Sequence, residues 1–133
     1  MEKLLIDPSV KTPLVDFNAQ TGEMIIQGRS IPQDSESFWE PILKWFYAYA
    51  VQPAQETNFI FDLEYFNISS SKRILFLLYK MAEMHENNFK INVEWRCQDG
   101  DIDMREVGND YACMVNLPFK IVNSQPTHLV AVK

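Results

Sequence analysis

Phe59-Ile60-Phe61-Asp62-Leu63-Glu64-Tyr65-Phe66-Asn67-Ile68-Ser69-Ser70-Ser71-Lys72 is the stretch whose reading decides the fold. One alternate set, Phe59, Phe61, Leu63 and Tyr65, is wholly apolar, whereas Asp62 and Glu64 break the other. That period of two marks a strand with one buried face, and its density of large side chains makes it the central strand. Each such side chain contributes about 1.5–3 kcal/mol on burial, before the entropy of ordering it is counted. After Asn67 the period changes to three and four, with Ile74, Leu77, Leu78, Met81 and Ala82 on one stripe and Leu75 and Phe76 widening it. A helix therefore begins near Ser69, capped by Asn67 or Ser69.

The first turn of that helix holds Ser69, Ser70, Ser71, Lys72 and Arg73 and no carboxylate. Because the N-terminus of a helix carries partial positive charge, cations there are unusual. Hydroxyls, free N–H groups and two cations together favour an anion or a phosphorylated hydroxyl at this point. The plainer alternative is that Lys72 and Arg73 lay their stems over apolar surface while the serines serve only as caps.

Working outward, Leu4 to Ile6 reads as a short strand, and Leu14 to Asn18 and Glu23 to Gly28 as an antiparallel hairpin turning at Ala19 to Gly22. Gly28 to Pro32 then interrupts regular structure. Ser37-Phe38-Trp39-Glu40 has capping-box spacing for a helix running to about Val51, with Pro41 in its first turns. Phe38, Ile42, Trp45 and Tyr49 form one apolar stripe of this helix, and Trp39, Leu43, Phe46 and Ala50 a second, leaving Glu40, Lys44 and Tyr47 polar. Such a helix is buried from two sides or offers one side to a partner, burial being the ordinary case.

Beyond the central helix, Ile91, Val93, Trp95 and Cys97 alternate with Lys90, Asn92, Glu94 and Arg96, so one face of the sheet is expected to be wet. Strand and helix alternate on both sides of the centre, which implies crossovers and parallel neighbours. Asp99, Asp101 and Asp103 resemble the opening of a calcium loop, but Met104 stands where the sharp turn needs Gly and Asp110 where a long bidentate carboxylate is needed. These acids are better placed at a helix start, followed by Met104, Val107, Tyr111 and Met114 at helical spacing. Phe119 to Val122 and His128 to Val132 are the remaining strand candidates.

A chain of 133 residues with nine Phe, five Tyr and three Trp suits one domain, 1–133, with a core that requires no staples. A net charge of −6 argues against nucleic acid and anionic membranes as partners. The apolar run Lys3 to Ile6 is too short for a signal peptide, and no transmembrane-length segment is present in the sequence, so a cytoplasmic location is expected. Cys97 and Cys113 lack metal-ligand spacing and read as small buried apolar residues in a reducing compartment. His85 and His128 have no neighbour that suggests a metal or a triad, and no P-loop or dinucleotide fingerprint occurs. No catalytic residue, metal site or cofactor is expected, and the protein reads as a non-enzyme.

The chain resembles the SiaC family of bacterial regulatory phosphoproteins, which are similar to the STAS domains of anti-sigma-factor antagonists. The resemblance rests on Thr12-Pro13, Gly28-Arg29-Ser30 followed by Pro32, Pro41 and Trp45, Leu63 to Asn67 leading into Ser69 to Lys72, Val93-Glu94-Trp95 and Pro118-Phe119. It implies an α/β (α+β) fold: a STAS-like mixed β-sheet with an N-terminal antiparallel hairpin and helices packed mainly on one side. It also implies protein partners in cyclic di-GMP and biofilm signalling: a diguanylate cyclase that the unmodified protein activates, a cognate kinase and a metal-dependent PP2C-type phosphatase. The family's phosphoacceptor threonine falls on Ile68, which has no hydroxyl. Either the switch has moved to Ser69, with Ser70 and Ser71 as further candidates, or this member binds without it. The expected partner surface is Asn67, Ile68, Ser69, Ser70, Lys72 and Arg73. The rival expectation is a small-ligand sensor whose aromatic first helix lines a pocket.

Overall fold

Period-two segments become strands and period-3.6 segments become helices in the computed structural model, which describes residues 1–124. The order is β1 (Leu4–Ile6), β2 (Leu14–Phe17), β3 (Glu23–Ser30), α1 (Ser35–Tyr49), β4 (Glu56–Phe66), α2 (Ile68–Glu86), β5 (Lys90–Gln98), α3 (Ile102–Met114) and β6 (Phe119–Ser124). The strands form one six-stranded sheet in chain order. β1, β2 and β3 pair antiparallel, and β3 to β6 pair parallel through the helical crossovers. His128 to Val132 lie outside the described residues.

The alternation along the strands sorts the sheet into two unlike faces. Val15, Phe17, Met24, Ile26, Phe59, Phe61, Ile91, Val93, Trp95 and Cys97 are buried in a single core that also takes the inner faces of all three helices. The other face carries no helix among the described residues and is laced by polar pairs across the strands. Asn58 donates to Glu23 at 3.0 Å, Asn92 to Glu56 at 2.9 Å, and Gln27 to Asp62 at 3.0 Å. The mixed sheet with helices on one side, expected from the resemblance, is therefore what forms.

The central strand departs from strict alternation at one place. Leu63 pairs with Gly28 but Tyr65 with Arg29, so Glu64 is an extra residue and every later side chain changes face. Tyr65, expected in the buried set, is 54% exposed, and Phe66 turns inward against Trp95 instead. Gly28 at φ +122 supplies the left-handed backbone that the irregularity requires.

Helix α1 starts at Ser35, ahead of the Ser37 start suggested by capping-box spacing, because Asp34 is the cap and its carboxylate accepts from Ser37 N. That bond and a second from the Ser37 hydroxyl hold the Asp34 carboxyl below its ordinary value. The helix passes through Pro41 and buries Trp39, Ile42, Phe46 and Tyr49. The acidic segment after β5 opens α3 as expected, Asp101 capping Met104 N at 3.0 Å.

Two expectations for α3 are corrected. Met114 is 51% exposed, and the buried face is made by Met104, Gly108 and Tyr111. Cys113 is exposed, unlike Cys97, because it lies on the outer side of this helix. Gly108 lies so close to the Trp95 ring that a Cβ there would stand 2.4 Å from Trp95 Cδ1. Forcing in a methyl group costs about 1–3 kcal/mol, generally more than the roughly 1 kcal/mol by which Ala exceeds Gly inside a helix. Gly108→Ala is expected to lower the urea midpoint with an unchanged slope; an unmoved midpoint would mean that Trp95 yields.

Candidate functional site

The parallel strands bring β4 up between β3 and β5, and α2 begins immediately after it. Asn67 makes the corner: its N–H donates to Ser30 O at 3.0 Å, and its side chain accepts from Ser70 N at 2.9 Å as the helix cap. The helix thus starts at Ile68, one residue before the Ser69 read from periodicity. As the first helical residue, Ile68 points away from the fold and is 90% exposed. Lys72, one turn on, is also exposed.

The three serines that look alike in sequence face three different elements. Ser69 is half-buried and its hydroxyl bonds Ser35 Oγ at the head of α1 and Asn67 Oδ1. Ser70 is fully buried: its hydroxyl donates to Ser30 O at 3.1 Å and accepts from Trp39 Nε1 at 3.3 Å, with Ser30 Oγ at 2.8 Å. One O–H and two lone pairs are thereby all engaged. Ser71 is half-buried, and its hydroxyl donates to Ile68 O at 2.9 Å while its carbonyl accepts from the Tyr111 hydroxyl at 3.1 Å. Burial pushes the Tyr111 phenol above its ordinary value, so it remains a donor at neutral pH.

Ser70 is accordingly not part of a surface, nor an accessible hydroxyl, contrary to expectation; the rotation of the helix turns it onto the end of β3. Arg73 is half-buried and donates to Ser69 O at 3.2 Å, so its cation bonds the turn's own backbone. Asn67, Ser69, Ser71 and Arg73 form the flanks of the turn, and Ile68 and Lys72 its outward tip. The supports Ser30, Ser35, Trp39 and Tyr111 were not in the expected site. All four lie more than 30 residues from their partners, where no local spacing signals them.

Beside the turn, Leu43, Tyr47 and Phe76 floor an open groove of about 510 Å³ between α1 and α2, rimmed by Glu36, Glu40, Lys44 and Arg73. Of the α1 aromatics, Trp39, Phe46 and Tyr49 are at most 1% exposed and belong to the core, and Tyr47 lines this groove. Among the described residues, no group of three or more His, Cys, Asp and Glu side chains is arranged to hold a metal. No helix among them is long and apolar enough to cross a membrane.

A family model for SiaC family regulatory phosphoproteins matches residues 6–124. The chain belongs to the SiaC family. Its fold is that of SiaC from Pseudomonas aeruginosa: the crystal structure of apo-SiaC is 22% identical, with a TM-score of 0.86 over 92% of this chain and 99% of that one. A SiaC chain crystallised with the diguanylate cyclase SiaD, which it activates, is 21% identical, with a TM-score of 0.87 over 91% and 99%. An uncharacterized protein of P. aeruginosa strain UCBPP-PA14 is 22% identical over 91% of this chain and 96% of its own length. This SiaC-family member presents Ile68 at the first position of α2.

Proposed function

We propose that this protein is a non-enzymatic regulator that binds and activates a diguanylate cyclase, using the head of α2 as its docking surface. The observation that carries it is Ile68, a large apolar side chain 90% exposed at the tip of a rigidly held turn. An isolated exposed apolar residue is ordinary on a protein surface. Here, however, the turn beneath is fixed by bonds to β3, α1 and α3, so Ile68 is presented at little entropic cost to a partner. The fold shared with SiaC, an activator of the cyclase SiaD, supports the choice of partner. The decisive experiment mixes the purified protein with the SiaD-type cyclase of the same organism and follows cyclic di-GMP formation from GTP. Stimulation with a measurable Kd is expected; an unchanged rate together with no complex would discard the reading.

Control by a kinase and a PP2C-type phosphatase, implied by the resemblance, meets an isoleucine at the acceptor position. Ser70 is buried, the Ser69 hydroxyl is bonded to Ser35 and Asn67, and the Ser71 hydroxyl to Ile68 O. Binding by this member is therefore read as independent of phosphate at the head of α2. Incubation with ATP and a family kinase shown to be active on another SiaC protein is expected to leave Ser69, Ser70 and Ser71 unmodified by phosphopeptide mass spectrometry. Stoichiometric phosphate on Ser69 would instead assign the switch to that hydroxyl.

A further inference from the structure

One contact reaches the head of α2 from the far end of the chain. Tyr111 is 7% exposed, and its ring packs edge-on against Trp95 with centroids 5.4 Å apart. Its hydroxyl donates to Ser71 O at 3.1 Å, and the Ser71 hydroxyl in turn donates to Ile68 O at 2.9 Å. A continuous line of contacts thus runs from the core at Trp95 to the carbonyl of the outermost residue of the turn. Neither the core nor the helix requires the hydroxyl: phenylalanine would pack the same ring, and a carbonyl in a helix interior already accepts from the N–H four residues on.

The Tyr111 hydroxyl therefore fixes something else, the orientation of the first turn relative to α3. First turns are where a helix has fewest bonds of its own and opens most readily. Ser70 anchors this one on the β3 side and Ser69 on the α1 side, and Tyr111 supplies the anchor on the α3 side. We propose that Tyr111 is a positioning residue for the docking turn, its hydroxyl holding the head of α2 so that Ile68 and Lys72 face the protein partner. This rests on the head of α2 being the docking surface.

Tyr111→Phe in the full chain tests it, because the ring and its packing are kept. Hydrogen exchange at the amides of residues 70–73 is expected to quicken about threefold to tenfold, the range that corresponds to one hydrogen bond. Affinity for the SiaD-type cyclase is expected to fall by a similar factor, with the thermal midpoint lowered by no more than a few degrees. Exchange at residues 70–73 identical to the parent would overturn the positioning role, whether or not a cyclase binds. Uniformly faster exchange and a lowered midpoint with unaltered affinity would also overturn it, by making Tyr111 a core residue only. If the parent itself binds no cyclase, the docking reading fails and takes the partner half of the proposal with it, while the exchange arm still decides whether Tyr111 orders the turn.

Discussion

Ile68→Asp is expected to weaken association with a SiaD-type cyclase by about tenfold to a hundredfold, the range of an interface anchor lost, with the thermal midpoint unchanged or slightly raised. The side chain is 90% exposed, so the fold loses almost no packing. The first turn of α2 contains no carboxylate, and a negative charge there gains about 0.3–1 kcal/mol from the helix dipole. A partner that covers Ile68 would lose an apolar contact and have to desolvate a carboxylate, and both effects oppose binding. Titration calorimetry of parent and variant against the same cyclase decides the matter, with Ile68→Thr as the uncharged control. Equal affinities for parent and Ile68→Asp would remove the head of α2 from the interface.

Trp95→Ala should cost about 3–5 kcal/mol, the usual range for deleting a buried large aromatic. Trp95 is 1% exposed and its ring meets Phe61, Phe66, Tyr111 and Phe119. Its indole N–H also donates to Met104 O at 3.1 Å, which seats α3 on the sheet. Against a total stability of about 5–15 kcal/mol, that loss is a large share. Thermal unfolding followed by circular dichroism is expected to show a midpoint lower by roughly 10–20 °C. A drop of only a degree or two would mean that the surrounding rings collapse into the space.

The sheet and its crossovers were legible because apolar spacing changes cleanly from two to three and four at Asn67, and back again at Lys90. The face change at Glu64 was not, since one extra residue in a strand leaves no mark on hydropathy. Glycine likewise contributes nothing to an apolar stripe, so hydropathy spacing passes over the buried Gly108 and selects the exposed Met114 on α3. At the site, the cap at Asn67 and the exposed Lys72 followed from residue types. The serine triplet did not resolve, because successive residues turn by about 100° around a helix. That rotation sends Ser69 to α1, Ser70 to β3 and Ser71 beneath Ile68, and only the tertiary neighbours distinguish them.

The isolation of the Ile68 side chain bears on how such a protein changes over generations. The fold places no demand on a side chain that supports nothing beneath it, and isoleucine and threonine codons differ by a single nucleotide. On the proposed reading, one point mutation exchanges a docking surface without a hydroxyl at its tip for one that a kinase can modify, in either direction, with the scaffold indifferent to the outcome.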